Sequence, residues 1–352
     1  MNEHSLDVLK RLLSTPGPSG DEVAAARVWR DEAATFADHV QADVRGSMIA
    51  VLEGDHPRVL LAGHIDEIGL MVSYIDDDGF LSFAGVGGWD PQVLVGQRVR
   101  LLGQQGDVIG VIGKKPIHLM KSDEREKVSK IDTLWIDIGA HDRAEAQERV
   151  LVGSAGVIDA PVYDFPHGRI VSRSIDNRIG AFTVLEALRL LAQDRPKATV
   201  AAVATSQEEI TFAGAHTTAF SFEPQVAIAV DVTFATDYPG ADKKQNGDVK
   251  LGGGPVLSRG SANSPVVYSM LLAIAEREGI PYSLQITPAY TGTDADAIHR
   301  SRGGVATGVI SIPNRYMHSP NEMIELSDVE HAAKLIAAFV RSLTAETDLI
   351  PR

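Results

Sequence analysis

Arg58-Val59-Leu60-Leu61-Ala62-Gly63-His64-Ile65-Asp66-Glu67 is the stretch on which the fold turns. An apolar run without polar alternation reads as a strand buried on both faces, the mark of a parallel sheet. Here it ends abruptly in a histidine and two acids. The pattern recurs: buried-strand runs at Thr199–Thr205, Val226–Val230 and Val305–Ile312 each lead into polar, acid- or histidine-bearing segments. Helical segments separate them. In Ile179–Gln193 the residues Ile179, Phe182, Leu185 and Leu188 share one face, and Pro265–Arg277 and Val329–Thr344 follow. Strands alternating with helices predict an α/β fold whose mainly parallel sheet is covered by helices on both faces.

The middle of the chain has another texture. From about Met71 to Ala160 it is rich in glycine, with nine glycines between Gly79 and Gly113 and short β-type runs at Arg98–Leu102, Val108–Ile112 and Leu134–Ile138. This predicts a small all-β module over 71–160, inserted into an α/β domain made from 1–70 and 161–352. Asp76-Asp77-Asp78-Gly79 lacks the spaced acids and closing Glu of a calcium loop, so it reads as a hairpin turn. Lys121–Lys130 reads as a solvated charged loop. At the N-terminus, Leu6, Leu9, Leu12 and Leu13 predict a helix with Ser5 as its N-cap, stopped by Pro16-Gly17-Pro18.

Composition narrows the chemistry. The 352 residues carry 33 Lys+Arg against 47 Asp+Glu, a formal net charge of −14, which argues against nucleic acid and anionic membrane surfaces as partners. No run approaches the ~18 apolar residues of a membrane span, and no signal-peptide pattern opens the chain, so the expected location is the cytoplasm. Cysteine is absent, which excludes disulfides, thiol nucleophiles and thiolate metal sites. Any metal must be held by His, Asp, Glu or backbone oxygen. No Gly-x-Ser-x-Gly elbow is present, Gly110–Lys115 lacks the P-loop spacing, and Gly252-Gly253-Gly254-Pro255 lacks the third glycine of a dinucleotide loop.

Ligands of open α/β sheets bind at the carboxyl ends of the strands. Those ends carry His64, Asp66, Glu208, Glu209, Asp231 and His318, and Asp176 opens the Ile179–Gln193 helix. Singly each has a plain reading: Asp176 as a helix N-cap, His64 as a core histidine, Glu208-Glu209 as an exposed pair. Together, acids gathered at one sheet edge would repel one another unless cations lay between them. His64 and Asp66, at i and i+2 of an extended segment, point the same way, so Asp66 can fix the orientation of a metal-binding imidazole. Adjacent Glu208 and Glu209 diverge, leaving one to ligate and the other to handle protons. Two histidines and three carboxylates suit two divalent ions, zinc or cobalt with manganese also accepted, an arrangement for hydrolysis.

His64-Ile-Asp66-Glu-Ile-Gly, Ser174-Ile-Asp176-Asn-Arg, Gln207-Glu208-Glu209, Asp231-Val-Thr-Phe-Ala-Thr-Asp and Arg315-Tyr-Met-His318-Ser-Pro together resemble the co-catalytic metalloaminopeptidases of peptidase family forty-two, the tetrahedral (TET) and glutamyl-aminopeptidase-like enzymes. The resemblance spans essentially the whole chain. It implies that His64 and Asp231 hold one metal and Glu209 and His318 the other, with Asp176 between them. It further implies Glu208 as general base and Asp66 as the residue orienting His64. The 71–160 insertion would be a dimerisation domain, the dimers would build a hollow tetrahedral dodecamer, and short or unfolded peptides would be the substrates. Tyr290-Thr291-Gly292-Thr293-Asp294-Ala295 also resembles a family segment near the cleft, though a solvated turn reads equally well.

The same centre would serve a metal-dependent deacylase or carboxypeptidase, and a non-catalytic assembly protein could share the scaffold. A glycosidase using Glu208 and Glu209 is disfavoured, because adjacent residues can hardly flank a sugar bond from opposite faces.

Overall fold

The computed structural model describes residues 1–352. Its main body is an eight-stranded sheet in the order His39–Ala42, Met48–Leu52, Ala198–Thr205, Asp55–His64, Val226–Phe234, Ala306–Asn314, Val256–Gly260, Ser283–Thr287. The four central strands run parallel, and the strands that flank them pair antiparallel. The central runs are apolar because both faces are covered. Helix Ile175–Gln193 packs on one face with Glu3–Ser14, Val23–Ala33 and Leu326–Ser342, and Ala213–Phe222 packs on the other. Trp29, Phe182 and Phe339 are fully buried between these layers.

Two local expectations are corrected. The first helix spans Glu3–Ser14 and its N-cap is Asn2, whose side chain accepts from the Ser5 amide. Ser5 is instead buried and donates to Glu186 at 3.0 Å. The charged Lys121–Lys130 stretch contains one helical turn, Ser122–Arg125, rather than loop alone.

Between Gly69 and Ile158 the chain forms a closed six-stranded barrel in the order Gly69–Ile75, Leu81–Val86, Trp135–Asp137, Gly106–Gly113, Arg98–Gly103, Ala155–Ile158. Asp76 makes the expected hairpin turn by accepting from the amides of Asp78 and Phe80. The module is not purely β: helix Arg143–Arg149, capped by Asp142, places Ala146 in the barrel core. A three-stranded sheet of Tyr163–Phe165, Arg169–Ser172 and Glu322–Glu325 follows, pairing Ser172 with Glu322. It brings the segment before Asp176 alongside the segment after His318.

Strand register places the functional row. Thr205 lies opposite His64, Ala62 opposite Ala229, and Asp231 opposite Ser311. Side chains alternate between faces with period two, so Thr205, His64, Asp231 and Ser311 line up across one face at the carboxyl end. Nearer the strand starts the same face is apolar, with Leu60, Ala62 and Ala227 packed under Ala215 and Ala219.

Candidate metal centre and active site

The functional side chains gather at the carboxyl ends of the strands or in the segments just beyond them. His64 ends its strand, Glu208 and Glu209 follow the strand Ala198–Thr205, and Asp231 lies late in Val226–Phe234. Four non-glycine residues in these segments have left-handed backbone: Ser174 (φ 59°), Gln207 (φ 58°), Tyr316 (φ 62°) and His318 (φ 58°). Such conformations cost energy and persist where surrounding contacts fix them.

The seven residues singled out from the sequence come together. His64 Nε2 lies 3.3 Å from Asp176 Oδ1, 3.5 Å from Glu208 Oε2 and 3.9 Å from Asp231 Oδ1. His318 Nε2 lies 3.2 Å from Asp176 Oδ2 and 3.5 Å from Glu209 Oε2. Asp176 thus faces a different histidine with each oxygen. Its side chain points into the cluster rather than capping the helix, whose first residues are non-helical at Asp176 and Asn177. Asp66 is fully buried, with Oδ1 3.3 Å from His64 Nδ1. It also accepts from the Glu208 and Glu209 amides at 3.1 and 3.2 Å and from Ser19 Oγ at 2.5 Å. One carboxylate therefore ties the ends of two neighbouring strands together.

Electrostatics follow from burial. Desolvation pushes Glu209 up to about 8, with the Asp176 charge adding to it. Burial likewise raises Glu208 and Asp231 well above the carboxylate range, against the pull of His64. Asp176 goes the other way, because hydrogen bonds from His318 and His64 outweigh its burial. Burial alone would lower His64, yet Glu208 and Asp66 beside it raise it well above the usual value. The Asp176 hydrogen bond lifts His318 to about 9.

Several participants were not evident in the sequence. Glu322 is buried and accepts from the Asp176 amide at 3.0 Å and the His318 amide at 2.9 Å, holding both segments at once. Its only sequence signal is an acid just ahead of the apolar Met323 and Ile324. The Gly88 carbonyl, from a barrel loop, lies 2.7 Å from His318 Nδ1. Asp294 is also buried, accepts from Thr205 Oγ1 at 2.5 Å, and is pushed up to about 6 by burial. Tyr290–Ala295 is therefore no solvated turn: Tyr290 is exposed, but Thr293 and Asp294 are buried, and Thr293 lines the cavity beside the cluster. Behind the centre, Glu67 is clasped by Arg173 and by Arg178, whose guanidinium also reaches the carbonyls of Leu12, Thr15 and Ile65.

The donor set fits divalent cations. His64, Asp176 and Glu209 offer ligand atoms within 4.8 Å of one another, as do His64, Glu208 and Asp231. Glu209 Oε1 is buried without a hydrogen-bond partner. Converging N and O donors, and a buried carboxylate oxygen with nothing to bind, match the coordination chemistry of zinc-like ions.

An α/β sheet with a carboxylate–histidine cluster of this kind at its carboxyl edge defines a metal-dependent hydrolase. Residues 46–335 match the M42 glutamyl aminopeptidase family, and the chain belongs to that family, a metal-dependent aminopeptidase acting on peptide bonds. It is 36% identical to the lysyl aminopeptidase of Pyrococcus furiosus over 341 residues, which cover 96% of this chain and 97% of that protein. The crystal structure of a TET aminopeptidase from the marine sediment archaeon Thaumarchaeota archaeon SCGC AB-539-E09 superposes with a TM-score of 0.94, at 36% identity and 98% coverage of both chains. The Pyrococcus horikoshii TET1 peptidase, described as assembling into a tetrahedron or a large octahedral shell, superposes with a TM-score of 0.86. That pair is 32% identical, over 96% of this chain and 100% of the other. No helix of the chain is long and apolar enough to cross a membrane.

Proposed function

We propose that the protein releases the N-terminal residue of short or unfolded peptides by hydrolysis at a two-metal centre. His64 and Asp231 would hold one ion, Glu209 and His318 the other, and Asp176 would lie between the two. The observation that carries this reading is the division of Asp176 between the two histidines, with one oxygen 3.3 Å from His64 Nε2 and the other 3.2 Å from His318 Nε2. Divalent ions there, zinc or cobalt, would lower the pKa of a water and polarise the scissile carbonyl.

The protein's own residues do the rest. Glu208 takes the proton of the attacking water on a carboxylate oxygen and passes it to the leaving amine nitrogen, so each turnover returns it to its starting form. Asp66 orients His64 through Nδ1, and the Gly88 carbonyl does the same for His318. Glu208 lies close enough to His64 to ligate as well, so its role as base is tested by whether Glu208→Gln retains both ions.

A deacylase or carboxypeptidase could use the same groups. A free substrate α-amine separates the readings: peptides with a free N-terminus should be cleaved, and N-acetylated versions of the same peptides should not. Equal rates on both would refute the aminopeptidase reading.

We further assign 1–70 and 161–352 to the catalytic domain and 71–160 to a dimerisation domain, with dimers assembling into a tetrahedral dodecamer in the cytoplasm. The Pyrococcus horikoshii assembly and the self-contained barrel core support this. Light scattering coupled to size exclusion should give a dimer or dodecamer; a fully active monomer would contradict it.

A further inference from the structure

The cavity beside the metal cluster encloses about 430 Å³. Beyond the cluster itself its walls carry no Lys, Arg, Asp or Glu. Its floor follows from the sheet register. The face that bears Asp231 continues through Ser311 on the next strand, and Val256 is paired with Ser311 on the strand after that. Ser258 and Gln285 then stand opposite one another on the last two strands. At the ~4.8 Å strand spacing, Ser311, Ser258 and Gln285 lie about 5, 10 and 14 Å from the Asp231 strand. A sheet face beneath a covering layer would ordinarily be apolar, as this face is nearer the strand starts. Here it becomes a shelf of hydroxyls and an amide.

The groups on the shelf are only partly committed to one another. Thr233 Oγ1 donates to Gln285 Oε1 at 2.9 Å, which uses the amide oxygen and leaves the two amide N–H groups free. Thr287 lines the cavity and its hydroxyl has no hydrogen-bond partner. Ser258 and Ser311 are both 3% exposed. An occupant therefore meets donors and acceptors but no counter-charge.

Resting on the aminopeptidase reading, we infer that this shelf receives the side chain of the substrate's first residue and selects uncharged, hydrogen-bonding residues such as Gln, Asn and Thr. A Lys or Glu side chain would enter without a partner of opposite sign, and desolvating an unpaired charge is costly. A Leu side chain would leave the shelf's polar groups unpaired, and sites built to hydrogen-bond reject such analogues. Gln285 is the specificity residue, because it stands farthest from the cluster and presents the free N–H groups.

The test is kcat/KM of the metal-loaded full chain on aminoacyl p-nitroanilides of Gln, Asn, Thr, Leu, Glu and Lys, repeated with Gln285→Glu and Gln285→Arg. The wild type should favour Gln, Asn and Thr over Glu, Lys and Leu by at least tenfold. Gln285→Glu should raise the Lys/Gln ratio, and Gln285→Arg the Glu/Gln ratio, each by about tenfold or more. A residue with a merely structural role would lower all substrates together. Glu, Lys or Leu substrates cleaved as well as Gln substrates would overturn the inference and leave the aminopeptidase reading standing; the wild-type panel decides this even if a variant misfolds. Ratios unmoved in folded variants would also overturn it. No release from any free-amine substrate would overturn both.

Discussion

Glu322→Gln separates the proposed centre from a chance gathering of acids. The side chain has 2% exposure and its oxygens accept the amides of Asp176 and His318 at 3.0 and 2.9 Å. Burial and the Asp176 charge push this carboxyl up, but in either protonation state it presents two oxygens to two N–H donors. Glutamine keeps the shape and replaces one oxygen with an NH2 group, which cannot accept. One buried N–H is then left unpaired, at a cost of about 1–3 kcal/mol. Asp176 or His318 loses its anchor, so the loss should appear in metal binding. Outer partners of metal ligands are worth about 10–100-fold in affinity, or ~1.4–2.7 kcal/mol, the same size as the hydrogen-bond figure. The assay is a zinc titration of apo protein against a competing chelator, with thermal unfolding of both apo forms to separate folding from binding. At least one ion should bind 10–100-fold more weakly. Affinity within twofold of wild type would refute the argument that Glu322 positions the ligands.

Other expectations can be checked on the same protein. Glu208→Gln should retain both ions by elemental analysis and lose ~10²–10⁴ of turnover; undiminished rates would remove Glu208 from the mechanism. His318→Ala should lower occupancy by one ion per chain, and unchanged stoichiometry would refute it as a ligand. Asp328 accepts from the Gly252 and Gly254 amides, and burial pushes it up to about 7. Between the ordinary aspartate value of about 4 and that pKa, the folded chain keeps a proton that the unfolded chain releases, so this group's contribution to stability falls as pH rises through the window, by at most ~1.4 kcal/mol per unit. In Asp328→Asn that slope should vanish: across pH 5 to 8 the difference in Tm should move in the variant's favour, and a constant difference would contradict the sign.

Much of the architecture was legible because parallel strands buried on both faces must be apolar and must stop being so where a ligand site begins. Val226–Val230 announces its strand, and the acid that follows marks the sheet's carboxyl edge. His64 and Asp66 were readable as a pair from the alternation of an extended segment. The rest depends on which strands become neighbours. Ser311, Ser258 and Gln285 look like scattered polar residues until register puts them on one face beside Asp231. The strand Ser283–Thr287 exposes Leu284 and Ile286, so it carried little burial signal. Glu322 acts through backbone amides of two segments joined by a small antiparallel sheet, a relation without local spacing. The barrel was readable as β-rich, but not its closure, since short glycine-rich strands pair out of sequence order. Ser5 misled because an amphipathic leucine pattern fixes a helix's face more firmly than its first turn.

Two divalent ions, held by His64, Asp231, Glu209, His318 and Asp176, should be required for release of an N-terminal residue. Stepwise addition of zinc or cobalt to chelated protein, with bound metal and aminopeptidase rate followed together, tests it most directly. Activity should be absent at zero metal and reach its plateau at two ions per chain. Full activity in the chelated protein, or a plateau at one ion, would contradict it.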